Sequence, residues 1–266
     1  MKKNIKDIHG YKVSIDSSLM TEVGDKENSY LLYGKETFQD YTNELSAELK
    51  DAYIKCKDYS KIETKGESYI RRYFLWNSLN NEDSIENKVT IILLNPAFAC
   101  SDFLDATLKR AKYLLENDLK QSKIYSSFAV LNLTSIRQPK SGVLPALLEK
   151  FQPLEDDKKF IEEYIEANIN SNMDYILAWG NNECNIICND HIKMSQFVLK
   201  CLSSATNKKA GTNLYIYLNR LTGKENPPHF NQQGFNSMKK NYNDIKIQLT
   251  PVSIFESNKS YKLNII

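Results

Sequence analysis

The sequence predicts an α/β fold: a three-layer sandwich with a mostly parallel central sheet, carrying a small α+β extension at its N-terminus. Two observations carry this. Short apolar runs such as Val89 to Leu94 lack the polar alternation of a half-exposed strand, as strands covered on both faces do. Between these runs lie stretches with apolar residues at three- and four-residue spacing, the pattern of helices crossing between parallel strands.

Taken in order, Tyr11 to Ile15 and Ser29 to Tyr33 are strand-like and flank a polar turn region containing Gly24, Asp25 and Asn28, which reads as a hairpin. Phe38, Tyr41, Leu45, Leu49, Tyr53 and Cys56 then recur at helical spacing, enough for about five turns. Residues 1–66 are therefore assigned to the extension and 67–266 to the α/β domain. A chain of 266 residues accommodates one main domain with an appendage.

The main body opens with a strand at Tyr69 to Trp76 and a second at Val89 to Leu94. A helix follows with Ser101 as N-cap, Asp102 and Asp105 at its positive end, and a stripe of Leu104, Leu108, Ala111 and Leu115. Strand Tyr125 to Leu133 leads into a long loop through Pro139 and Pro145. Beyond it lie a helix from about Asp156, with Phe160, Ile161, Tyr164 and Ile165 inward, and strand Tyr175 to Trp179. A further helix starts near Asp190, with Met194, Phe197, Val198, Cys201 and Leu202 inward, before strand Leu214 to Leu218. After residue 230 only Ile245 to Val252 alternates, so one edge strand or hairpin is expected there.

Composition excludes more than it selects. The net charge of +2 neither demands nor forbids a polyanionic partner, since a basic face fits inside a balanced total. Five cysteines (56, 100, 184, 188 and 201) are an odd number without paired short spacings, so reduced thiols are expected rather than a disulfide framework. Cys184 and Cys188 lack the accompanying pair that a zinc site needs, and no metal is expected. Met1 to Gly10 carries no apolar core of a signal peptide, and no apolar run approaches the about 20 residues of a membrane helix. A cytoplasmic protein without membrane association is expected. Neither G-x-x-x-x-G-K-[ST], G-x-G-x-x-G nor G-x-S-x-G occurs, so no nucleotide or dinucleotide cofactor is expected and no nucleophile elbow is present.

In open parallel sheets ligands bind past the carboxyl ends of the strands. Those positions hold Asn95-Pro96-Ala97-Phe98, Asn132 through Arg137, Gly180-Asn181-Asn182-Glu183, and Asn219-Arg220-Leu221-Thr222-Gly223 leading to Pro227-Pro228-His229-Phe230. Few carboxylates are among them, which argues against a paired-carboxylate hydrolase or a magnesium phosphoryl-transfer site. Asparagine offers a base edge both a donor and an acceptor, phenylalanine stacks, and arginine holds phosphate. Plainer readings stand beside these: Asn95-Pro96 as a turn, Asn132 as a cap for loop backbone, Phe98 and Trp179 as core, His229 as a surface residue.

The ordered segments Tyr73 to Trp76, Ile91 to Ala97, Asp105 to Arg110, Val130 to Leu133 and Ile176 to Asn181 resemble the bacterial family called domain of unknown function 1643, over roughly residues 69 to 220. More distantly, the layout resembles the uracil-DNA glycosylase superfamily. That second resemblance implies the fold of those enzymes and a role for each strand end. Asn95 would position a water, Phe98 or Phe103 would stack on the base, Asn132 would read it, and the loop from Asn219 to His229 would supply the last catalytic motif. The last motif departs from the superfamily: Asn219-Arg220-Leu221-Thr222 keeps only the Asn, and His229 follows about ten residues later.

Three functions follow as expectations. One is a DNA glycosylase acting on a flipped base. The second is a catalytically inactive module binding single-stranded DNA or a protein, with Arg137, Arg220 and Lys224 on phosphate. The third is an enzyme of free nucleosides or nucleotides. The N-terminal extension offers a surface for a protein partner.

Overall fold

The computed structural model describes residues 4–23, 29–34, 71–79, 87–96, 99, 104–117, 125–138, 144–151, 154–169, 171, 173–180, 189–208, 213–217, 227 and 249–266. The strands are β1 (Asn4–Ile8), β2 (Tyr11–Ile15), β3 (Met20–Val23), β4 (Ser29–Gly34), β5 (Arg72–Ser78), β6 (Lys88–Leu93), β7 (Ser127–Asn132), β8 (Met173–Leu177), β9 (Leu214–Tyr217), β10 (Leu249–Ser257) and β11 (Ser260–Ile265). The helices are α1 (Ala106–Asn117), α2 (Leu144–Phe151), α3 (Leu154–Asn168) and α4 (Asn189–Lys208). β1 and β2 pair by themselves, and the other nine strands form one sheet ordered β11-β10-β9-β8-β6-β7-β5-β4-β3.

At the centre of that sheet β7, β6, β8 and β9 run parallel, with Leu93 opposite Asn132, Ile92 opposite Leu177 and Leu177 opposite Ile216. On either side the strands reverse: β5, β4 and β3 are antiparallel beyond β7, and β10 and β11 beyond β9. The sheet is thus mixed rather than mostly parallel, with three parallel pairings against five antiparallel ones. An apolar run reports burial on both faces and is indifferent to strand direction. β4 is buried along its whole length, as β7 and β8 are, although its neighbours run against it.

Successive residues of a strand point to opposite faces, which divides the core in two. On one face Ile92, Leu131 and Leu177 pack against Phe160, Ile161, Tyr164 and Ile165 of α3 and Met194, Val198 and Leu202 of α4. On the other, Ile91, Val130 and Ile176 meet Leu108, Ala111 and Leu115 of α1. α1, α3 and α4 bury most of the apolar stripes their spacing marks, with Phe197 and Cys201 of α4, both read as inward, only half-buried.

The N-terminal pairing differs from expectation. Tyr11–Ile15 pairs with Asn4–Ile8 and not with Ser29–Tyr33, turning on His9 and Gly10, both with left-handed backbone (φ 49° and 83°). β4 pairs with β3 and β5 instead and so extends the main sheet. The β1–β2 hairpin covers the amino ends of the parallel strands. Its Tyr11 hydroxyl donates to Ser127 O at 3.1 Å and accepts from Val89 N at 3.3 Å, and His9 stacks on Trp76 with ring centroids 3.9 Å apart. The helix read over residues 38–56 lies outside the described residues.

Two further readings change. α1 starts at Ala106 and is capped by Asp105, whose Oδ1 accepts from the amides of Thr107 and Leu108, both at 3.0 Å. Ser101 lies outside the described residues. The long loop read through Pro145 contains α2, with Pro145 in its first turn, where a missing N–H costs nothing. The C-terminal segment forms the hairpin β10–β11. No helix among the described residues is long and apolar enough to cross a membrane.

Candidate functional site at the carboxyl rim of the sheet

From β6 the chain crosses through α1 to β7 on one side, and from β8 it crosses through α4 to β9 on the other. β6 and β8 are neighbours whose chains depart in opposite directions, the switch point at which open α/β sheets generally bind ligands. Backbone bonds beyond the sheet tie the rim together. Leu133 N donates to Leu93 O (2.8 Å), Thr134 N to Leu94 O (3.1 Å), Gln138 N to Pro96 O (2.9 Å) and Gly180 N to Pro227 O (3.1 Å). The last bond brings the segment after β9 against the end of β8. Gly180 adopts φ 90°, a conformation that L side chains disfavour.

Asn95 stands at this rim and is half-buried. Its Nδ2 donates to Gln138 O at 2.6 Å and Pro96 O at 3.0 Å, which fixes the amide orientation and clasps the segment after β6 to the segment after β7. Oδ1 accepts no bond among the described residues.

Asn132, the last residue of β7, is opposite Leu93 and 5% exposed. Among the described residues neither its Nδ2 nor its Oδ1 has a hydrogen-bond partner. Alternation from Phe128 and Val130 directs it to the α1 face. An orphaned buried polar group costs about 1–3 kcal/mol, and native proteins leave few of them.

Two buried arginines flank the loop that follows Asn132. Arg72, paired with Tyr33, donates from Nη1 to Ala99 O at 2.7 Å. Arg137 is 2% exposed, and its guanidinium lies 5.6 Å from the centre of the Tyr33 ring. A phosphate reaching Arg137 has to enter the site rather than lie along the surface.

Arg71 organises the other flank. Its Nε donates to Ser135 Oγ at 2.8 Å, Nη2 to Asp157 Oδ1 at 3.1 Å and Nη1 to Asp156 Oδ2 at 3.2 Å. Asp157 Oδ2 accepts from Thr134 Oγ1 (3.0 Å) and Ser135 N (3.1 Å), so α3's first turn holds the loop that begins at Asn132. Burial pushes the Asp157 carboxyl above the ordinary aspartate range, and Arg71, Ser135 and Thr134 pull it back in part. Asp156 also lines a cleft of about 570 Å³ between the Ser14–Met20 segment, Tyr73 and α3.

Of the residues named from sequence, Asn95, Asn132 and Arg137 come together at one rim. Phe98, Phe103, Asn219, Arg220, Lys224 and His229 lie outside the described residues. Sequence reading missed Arg71, Arg72, Gln138 and Asp157. The one available signal was a pair of arginines heading an apolar strand and a pair of aspartates opening a helix. Among the described residues no group of three or more His, Cys, Asp or Glu could hold a metal.

The model of the family described as Protein of unknown function (DUF1643) matches residues 72–229, more than half of the chain. This chain belongs to that family. The DUF1643 segment runs from β5 through β9 to His229, so it contains all four parallel strands and the rim residues Asn95, Asn132 and Arg137. The antiparallel strands β3, β4, β10 and β11 lie outside it. No curated protein and no solved structure matches the chain.

Proposed function

We propose that this DUF1643 protein binds a nucleobase, presented by single-stranded DNA or by a base flipped from a duplex, in a pocket at the carboxyl rim, on a uracil-DNA-glycosylase-like layout. The observation that carries this reading is the Asn132 side chain, nine-tenths buried with donor and acceptor both unused. A planar base edge offers the matching acceptor and donor side by side, so binding would return both bonds lost on folding. Phe98 or Phe103 is assigned to stack on the base. Arg137, Arg220 and Lys224 are assigned to phosphate.

A second reading, catalysis of N-glycosidic cleavage, is favoured by Asn95. With Nδ2 anchored, Oδ1 is held as an acceptor able to orient a water. It cannot deprotonate that water, so slow chemistry is expected, with Asn219 and His229 assigned to the leaving base.

Fluorescence anisotropy with labelled single strands, and with duplexes carrying a mismatched or modified base, tests the first reading. Binding should weaken as salt rises, and Asn132→Ala should raise Kd about tenfold while leaving the salt slope unchanged. Binding of nucleoside alone, with none to DNA, would assign the pocket to small molecules. Absence of all binding would end the proposal. Release of free base from uracil, hypoxanthine, mismatched thymine or alkylated substrates would establish catalysis, and intact substrates leave a binding module.

A further inference from the structure

Two hairpins of this chain share one construction. Each turns on two residues with left-handed backbone, His9–Gly10 and Asn258–Lys259, the turn whose twist matches that of paired strands. In each, the second residue of the returning strand, Lys12 or Tyr261, directs its N–H and C=O away from the hairpin. A side-chain amide from a helix then stands where a neighbouring strand would. Asn168 at the end of α3 accepts from Lys12 N at 2.9 Å and donates to Lys12 O at 2.7 Å. Gln196 in α4 accepts from Tyr261 N at 2.6 Å and donates to Tyr261 O at 2.9 Å. One donor and one acceptor offered to one residue are what a paired strand supplies.

At β2 this amide docks a hairpin. At β11 it has a further consequence, because β11 is the outermost of the described strands in the nine-stranded sheet. Ser260 pairs with Ser257 across the turn and Ile266 N donates to Pro251 O, so the outward positions are Tyr261, Leu263 and Ile265. A second β11 laid antiparallel about a two-fold axis at Leu263 matches Tyr261 to Ile265 of the other copy, Leu263 to its counterpart, and Ile265 to Tyr261. That register is isologous and closes on itself. Ile265 and Ile266, 36% and 75% exposed, add apolar surface at its ends. Gln196 occupies Tyr261 in each copy and thereby removes both terminal matches, leaving only the central one.

We infer that the outer edge of β11 is a self-complementary pairing surface for a second copy of this chain, held shut by Gln196 acting as a strand surrogate. Unprotected edge strands invite such addition, and a helix side chain is one means of closing them.

Sedimentation of the full chain across concentration, with residue-level amide exchange at Tyr261, tests this. The wild-type chain should sediment as one species at every concentration, with the Tyr261 amide protected. Gln196→Met keeps side-chain length and helix propensity but offers neither bond. It should speed Tyr261 exchange roughly tenfold in dilute solution and form a dimer as concentration rises. Adding Ile265→Pro removes an outward N–H without touching the β10 ladder and should return the chain to the monomer. Gln196→Glu keeps the acceptor and loses the donor, so its Tyr261 exchange should fall between the two, and it decides the matter should the Met variant not fold. A wild-type dimer, a Met variant that stays monomeric with slow Tyr261 exchange, a dimer that survives Ile265→Pro, or a Glu variant indistinguishable from wild type would each overturn the inference.

Discussion

At the scale of single residues, Asp157 shows how a buried charge is tolerated here. Its carboxylate collects Arg71, the Thr134 hydroxyl and the Ser135 amide, yet burial still leaves its pKa above the ordinary value. The native chain therefore takes up this proton at a higher pH than the unfolded chain does. The stability it contributes is fully present below the ordinary aspartate pKa and is lost as pH rises to the native one. Asp157→Asn should flatten that part of the profile. It should also destabilise the fold by about 3 kcal/mol, because the buried Arg71 then loses its buried carboxylate partner. Urea midpoints measured from below the ordinary aspartate pKa up to neutral pH check both. An Asn variant as stable as wild type with the same pH dependence would remove Asp157 from its role as the loop's anchor. None of this was legible in sequence, since Arg71 and Asp157 meet only through the fold. Asn95 and Asn132 were legible, because each ends an apolar run.

Among the elements, the helices were the most readable. Period and cap act locally, so the inward face of α3 follows from spacing and that of α4 does except at Phe197 and Cys201, whereas the start of α1 moved to the residue that actually caps it. Asp105→Ala should cost about 1 kcal/mol and lower Tm by roughly 2–4 °C, since two first-turn amides lose their acceptor. A thermal melt unchanged within error would show that α1 is fixed by packing alone. α2 escaped notice because Pro145 was read as a breaker, although the first turn of a helix is where proline fits best. The N-terminal hairpin was mispaired for a related reason. Tyr11–Ile15 and Ser29–Gly34 are both strands, and strand character does not name a partner. The signal that did specify pairing was His9-Gly10, together with Asp7, whose Oδ1 accepts from Gly10 N at 2.6 Å.

Over the whole molecule, a parallel centre bearing the family segment is flanked by antiparallel strands that seal its sides. The crossovers that make the centre parallel also gather Asn95, Asn132, Gly180 and Pro227 at one rim, and strand order puts the switch point between β6 and β8. Sequence reading reached that rim from strand ends alone. It missed Arg71 and Arg72, because charged residues in an apolar setting declare their partners only in three dimensions. The rim also sets stability against binding. A buried amide with no partner weakens the fold, and it is explained if a ligand supplies the missing bonds. Asn132→Leu, measured for both thermal stability and oligonucleotide binding, tests this most directly. The account predicts a Tm higher by at least about 2 °C, from relief of the orphaned amide, together with loss of binding. A Tm that falls while binding persists would contradict it.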